Sequence, residues 1–315
     1  MSMVDFHRFL APHRNRETGI FEISPSRRFL HDETKYDDQY QLSAFDVGPG
    51  QRLLDLLAED GRPMEGPAVE LGCGTGLLTA GLVASGKYRP LLITDPSTAF
   101  IDIVRRKLLL QGSIPDEVML GILNGENLGS LPSGLFSLIT MRSVLHHFND
   151  VEGFFAEAAR LLAPGGVLTF YEPCADGFIL MGALASLLPV IAESAGSPLT
   201  KQQQHSIQLF LDTMIFYTRR DIDKSAGEDK HAFRFDLLSQ LAHRNGLTLR
   251  FVPDETEGSF ERSFLDYLKY CMSFDDELVA TAARHLKPAL KFIKAGAAGT
   301  IPPSIVGQFI CEKLG

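Results

Sequence analysis

The chain has 315 residues, enough for one elaborated domain or for two. Hydrophobic residues make up 45% and charged residues 22%, the composition of a chain with a real core, which excludes a disordered polymer. The formal charge of −9 sets the surface as a whole against polyanions, so nucleic acid is not an expected partner.

Residues 1–66 read as an N-terminal helical extension or lid. Asp5 and His7 interrupt any early apolar run, so no secretory leader is expected, and one clear helix spans Gly50–Asp60. Residues 67–173 are the most patterned stretch, with short apolar runs alternating with segments of helical period. Strands are expected at Ala68–Leu71, Leu91–Thr94, Val118–Leu123, Phe136–Met141 and Val167–Tyr171. Helices are expected at Leu77–Ser85, Phe100–Leu110 and Phe154–Leu162. That alternation implies a parallel sheet covered on both faces.

Phe100, Ile101, Val104 and Leu108 form one helical stripe that Ser97 can cap. Asn149-x-x-Glu152 resembles a capping box ahead of the Phe154 helix, and Pro164-Gly165-Gly166 ends it.

Residues 174–230 and 257–300 read as helical insertions, expected to form a cap. Their longest uncharged stretch, Gly177–Ala192, holds Gly182, Ser186 and Pro189. A spanning helix needs about 20 mainly apolar residues, so no membrane segment is expected there. The run 178–191 reads as a buried cap helix, with a greasy tunnel or a homodimer surface as its functional alternatives. Arg284, Lys287, Lys291 and Lys294 share one face, which reads as solvated.

Between the insertions, residues 231–256 return to the core through a helix at Asp236–Arg244, closed by Asn245-Gly246, and a strand at Leu247–Val252. Residues 301–315 supply the last strand. Cys73, Cys174, Cys271 and Cys311 form no C-x-x-C pair; no metal is expected, and a reducing cytoplasm is the expected location.

The sharpest signal is Val69-Glu70-Leu71-Gly72-Cys73-Gly74-Thr75-Gly76-Leu77, at a strand-to-helix junction. Glycines belong where a turn needs unusual backbone angles and a ligand must approach the main chain. A dinucleotide fingerprint would place its third glycine where Leu77 stands, so the G-x-G-x-G spacing speaks against a nicotinamide cofactor.

Glu70–Gly76 resembles the first motif, E/D-x-G-x-G-x-G, of class I S-adenosylmethionine-dependent methyltransferases. Asp95-Pro96 ends the next strand, and Asn124-Gly125-Glu126 follows the third. Ser143-Val144-Leu145-His146-His147 ends the fourth, and Leu162-Ala163-Pro164-Gly165-Gly166 precedes the fifth. These five ordered matches cover about a third of the chain.

The resemblance implies an α/β, Rossmann-like class I methyltransferase fold with a mixed sheet of about seven strands, helices on both faces and a helical cap. The final strand is expected to be antiparallel. It also implies S-adenosyl-L-methionine as cofactor, held by Glu70, Gly72, Cys73, Gly74, Gly76, Asp95, Pro96, Asn124, Gly125, Glu126 and Ser143.

In that picture Glu70 orients the ammonium, N–H groups of a helix beginning near Gly76 serve the carboxylate, and Asp95 accepts both ribose hydroxyls. Asn124, where the family often has Asp, accepts from the adenine amine, while Phe100 or Ile101 packs against the base. Tyr40 or Tyr36 closes over the site. An acidic protein suits a sulfonium ligand without phosphates.

Plainer readings stand beside these. The glycines can pack a helix on a strand, Asp95 can be a helix N-terminal charge, Asn124 a turn residue, and Glu172 a cap or ion-pair partner. His146 and His147 can be one pocket residue and one packed neighbour.

The expected reaction is in-line methyl transfer to O, N or C of a small or medium-sized organic acceptor, with His146, His147 and Glu172 as candidate bases in falling order. The alternatives are a non-methylating enzyme on the same fold and a catalytically silent binding module.

Overall fold

A computed structural model describes residues 3–28, 33, 35–36, 45–62, 64–196, 198–225, 227–254, 260–271, 274–296 and 304–314. Tyr40 lies outside the described residues. The chain forms two compact units. One comprises Met1–Phe170, Ser239–Arg250 and Phe309–Gly315; the other comprises Tyr171–Leu238 and Phe251–Gln308.

The first unit is built on an eight-stranded mixed sheet with the order β1-β4-β3-β2-β5-β6-β8-β7. The strands are β1 (Phe21–Glu22), β2 (Gly66–Leu71), β3 (Tyr88–Asp95), β4 (Val118–Ile122), β5 (Phe136–Arg142), β6 (Leu162–Pro173), β7 (Leu247–Pro253) and β8 (Val306–Lys313). The strands β2 to β5 are near-continuous apolar runs because parallel strands are covered on both faces.

All seven expected strands are present. The eighth, β1, pairs in parallel with β4 through Phe21↔Gly121. Two residues are too few to show an alternation, so the sequence pattern could not reveal it.

β2 lies between β3 and β5, with Glu70 opposite Ile93 on one side and Thr140 on the other. The chain winds away from β2 in both directions, which makes the gap between β2 and β5 a topological switch point. Ligands of open α/β sheets bind at the carboxyl ends of the strands there. The core of this unit carries a run of rings, with Phe155 edge-on to Phe170 at 5.9 Å and Phe170 stacked on Phe309 at 5.1 Å.

Helices α1 (Met3–Leu10), α2 (Gly48–Glu59), α3 (Thr79–Ser85), α4 (Thr98–Leu110) and α5 (Val151–Leu161) belong to this unit. α2 meets α3 main chain to main chain. A Cβ on Gly50 would stand 2.7 Å from the Cα of Gly81, so both residues must be glycine for the helices to touch.

Ser97 caps α4 as expected, accepting from Phe100 N–H at 3.5 Å and donating to Glu33 Oε1 at 3.0 Å. Ser97→Ala is expected to lower stability by about 1 kcal/mol, measured as the shift of the urea midpoint.

The cap of α5 differs from expectation. Asp150, not Asn149, accepts from Gly153 N–H at 2.8 Å. Asn149 gives both of its N–H groups to Glu126 instead.

The second unit is mainly helical: α6 (Ala175–Ala185), α7 (Leu188–Ser194), α8 (Lys201–Thr218), α10 (Phe260–Asp266), a π turn at Tyr267–Cys271 and α11 (Asp276–Gly296). Helix α9 (Phe235–Arg244) runs through the point where the chain returns to the first unit.

Ala175–Ser194 is long and apolar enough to cross a membrane by length and composition alone. Its Phe178, Met181, Leu184 and Leu188 are buried in this unit's own core with Phe210 and Phe264. Arg284, Lys287 and Lys291 are exposed, as a solvated face requires.

Candidate functional site

The register of β2 against β3 brings the glycine loop beside Asp95. The two carboxylate oxygens of Asp95 each accept one main-chain donor: Oδ2 takes Gly74 N–H at 2.9 Å and Oδ1 takes Ser97 N–H at 2.8 Å. Cys73 N–H donates to Thr94 O, and Gly76 N–H to Cys73 O, both at 2.8 Å. Pro96 turns the chain away, its carbonyl accepting from Arg27 N–H.

The three glycines are needed for different reasons. At Gly72 a Cβ would press on Val144 at 2.5 Å. At Gly76, with φ +94°, it would strike the Phe45 ring at 2.6 Å. At Gly74, with φ +50°, it would meet nothing within 4 Å, so here the main chain faces open space. Only the last fits an approach surface for a ligand.

Helix α3 begins at Thr79, two residues after the expected start at Leu77, with a run of turns from Gly74 to Leu78. The first helical bond, Ala80 N–H to Gly76 O at 3.2 Å, already starts at Gly76, so the N–H groups that follow it belong to this run of turns.

Glu70 is buried and accepts from the Thr79 hydroxyl at 2.7 Å, tying β2 to α3. Burial pushes its carboxyl up to about 7 against the lowering effect of Thr79, and the negative charge of Asp95 adds to the rise. Burial likewise pushes Asp95 up to about 7; the Ser97 and Gly74 N–H groups oppose it and Glu33 reinforces it. Two acids poised near neutrality beside an open stretch of main chain are the electrostatic signature of this site.

Sequence reasoning missed Lys107. Buried in α4, its Nζ donates to the carbonyl of Thr75 at 3.1 Å and holds the loop from within the protein. The signal was a cation three residues after Val104 in an otherwise apolar stripe. Phe45 and Val144, which press on the loop, carried no signal. Phe100 and Ile101, expected beside the base, are both buried in the core, with Tyr36 edge-on to Phe100 at 5.9 Å.

The second group of expected residues sits on the loops after β4 and β5. Asn124 closes its own turn, its Oδ1 accepting from Glu126 N–H at 3.0 Å, as the turn-residue reading has it. Gly125 leaves room for the Phe148 ring, which would clash with any Cβ there. Ser143 has φ +55°, rare for a non-glycine residue, and delivers Val144 onto Gly72.

His146 and His147 lie on the short turn Leu145–His147, both half-buried, with ring centroids 4.1 Å apart. Glu172 belongs to the second unit, where it is fully buried. In that unit the Tyr171 hydroxyl donates to Asp254.

An open α/β sheet with a glycine loop and an acid at its switch point defines a Rossmann-like cofactor fold. Residues 69–170 match the family model for a methyltransferase domain. This segment is a class I S-adenosylmethionine-dependent methyltransferase domain.

The chain is 28% identical over 145 residues to malonyl-[acyl-carrier protein] O-methyltransferase of Haemophilus ducreyi, covering 46% of this chain and 54% of that protein. It is 33% identical over 153 residues to an uncharacterized 37.1 kDa protein in transposon TN4556 of Streptomyces fradiae, covering 47% and 41%. The chain thus spans about half the length of these two relatives.

Its fold is also similar to that of phosphoethanolamine N-methyltransferase 2 of Haemonchus contortus, solved in complex with S-adenosyl-L-methionine. That likeness has a TM-score of 0.51 at 11% identity and covers 100% of this chain and 60% of that one.

Proposed function

We infer that the chain is an enzyme that transfers a methyl group from S-adenosyl-L-methionine to a small or medium-sized organic acceptor. The observation that carries this reading is the Asp95 carboxylate, which braces Gly74 and Ser97 around a stretch of main chain open to a ligand.

The residues present fit the cofactor. A carboxylate offers about four acceptor positions and Asp95 uses one on each oxygen within the protein, which leaves capacity for two ribose hydroxyls. When bound, the cofactor supplies an electrophilic methyl group on a positively charged sulfur.

The protein's own part is alignment. Lys107, Phe45 and Val144 fix the loop, and most of the rate gain comes from holding donor and acceptor in line. Where the acceptor arrives protonated, His146 and His147 are the bases we favour; Glu172, with no surface exposed, ranks last. The net charge of −9 supports a small acceptor over nucleic acid, and the buried thiols of Cys73, Cys174 and Cys311 support a reducing cytoplasm as the place of action.

The test is calorimetry with S-adenosylmethionine and S-adenosylhomocysteine, followed by a screen of carboxylates, phenols and amines with a labelled methyl donor. Binding of both and a product heavier by one CH₂ are expected. Absence of binding to either ligand, or a product of unchanged mass, would overturn the reading.

A further inference from the structure

Among the described residues, three contacts within the first unit hold the segment that carries His146 and His147. Before the histidines, Val144 packs on Gly72 in the glycine loop. After them, Phe148 covers Gly125 and its ring meets Phe154 edge-on at 5.2 Å.

The third point is electrostatic. The Glu126 carboxylate accepts Asn149 N–H at 2.7 Å and Asp150 N–H at 3.1 Å on Oε1, and the Asn149 side-chain amide at 3.3 Å on Oε2. Glu126 is in turn held by Asn124, whose Oδ1 takes its main-chain N–H.

The geometry points to Glu126 as a positioning residue for the His146–His147 turn rather than a ligand of the cofactor. Three donors converge on one carboxylate, so its acceptor capacity is directed at the chain after the histidines and little of it remains for an outside group. Hydrogen bonds to a charged acceptor are the strong ones, and three of them meet here.

Position in the sequence supports this. Glu126 lies 23 residues before Asn149, so its bonds tie the loop after β4 to the loop after β5 across the switch point. With Val144 on Gly72, the loops after β2, β4 and β5 become one body with the histidine turn between its anchors. Glu126 thus sets where the two imidazoles stand while touching neither the methyl donor nor the acceptor.

The inference rests on the methyltransferase reading only for the meaning of the turn, and its test separates the two. In the full-length protein, Glu126→Gln keeps the shape but removes the charge, and its one carbonyl oxygen can serve the two main-chain donors or the Asn149 side-chain amide, not all three. It is expected to keep the affinity for S-adenosylhomocysteine within about twofold of wild type, while hydrogen exchange at the Asn149 and Asp150 amides rises tenfold or more. The imidazole ring-proton NMR signals of His146 and His147, assigned with His146→Asn and His147→Asn, are expected to move.

The inference is overturned if Glu126→Gln lowers the affinity tenfold or more with amides and rings unchanged, which is the pattern of a direct ligand. Should this variant not fold, Glu126→Asp, which keeps the charge and shortens the reach, is expected to give the same changes in smaller degree; unchanged exchange and rings would count against the inference. Exchange and ring signals need no cofactor. A wild type that fails to bind S-adenosylhomocysteine would therefore sink the functional reading and still leave the role of Glu126 decided.

Discussion

The Asp95→Asn variant is expected to bind S-adenosylhomocysteine at least tenfold more weakly than wild type at pH 8 and to lose much of the wild type's dependence on pH. The loss follows from the chemistry of the acceptor: a charge-assisted hydrogen bond is worth about 1.5–3 kcal/mol, and an amide has one acceptor oxygen where the carboxylate has two. Only one of Gly74 and Ser97 can then be held, and the capacity facing the ligand falls.

The pH dependence has two opposite signs. Asp95 and Glu70 titrate near 7 in the folded protein, against ordinary values of 3.8 and 4.5. Between those limits the folded state holds protons that the unfolded state has released. Their contribution to stability is therefore complete at low pH and is lost as pH rises through about 7, by at most about 1.4 kcal/mol per group per pH unit.

Ligand affinity is expected to run the other way: on the proposal that Asp95 accepts the ribose hydroxyls, the ionised form that would do so is populated only above that pH. Thermal melts of the free protein between pH 5 and 8, set beside calorimetric titrations over the same range, check both slopes. In Asp95→Asn the affinity profile should flatten and the stability profile keep only the share of Glu70. Superimposable profiles for the two proteins would rule the assignment out.

Alanine at two of the loop glycines should separate packing from access. Gly76→Ala puts a methyl group onto the Phe45 ring at a backbone angle that side chains avoid, and should lower stability by on the order of 3 kcal/mol along with all measurable binding. Gly74→Ala meets no neighbour, so its cost is limited to about 1–2 kcal/mol for the left-handed conformation. Its methyl group occupies the open side of the main chain, however, and S-adenosylhomocysteine affinity should fall at least tenfold in a protein that still folds cooperatively. Urea unfolding and calorimetry on both variants give the comparison. Wild-type affinity in Gly74→Ala would place the ligand elsewhere.

The strands are legible because parallel strands buried on both faces leave continuous apolar runs, and the glycine loop is legible because positive φ and close packing restrict residue type at its three glycines. Where the sequence misled, a long-range partner had settled a local choice. Asn149 looked like a helix cap until Glu126, far back in the chain, took its amides. The start of α3 was placed too early because Leu77 and Leu78 continue the apolar period while Gly76, with its positive φ, keeps the chain in turns.

Lys107 was readable as a cation on an apolar stripe, and Thr200-x-x-Gln203 was readable as the capping box that starts α8. The clamps on the loop, Phe45 and Val144, were not readable, since an aromatic or branched residue carries no mark of the glycine it covers.

The notch between Gly50 and Gly81 bears on any attempt to miniaturise the protein. The family match begins at residue 69, yet the helix that fills this notch and the aromatic ring that backs the third loop glycine both precede it. A version trimmed to the matched segment would bare a stripe of main chain on α3 and leave the loop unsupported on one side. A minimal version that still folds around this loop should therefore start ahead of Phe45, and grafting the loop onto another scaffold would mean carrying that upstream helix along with it.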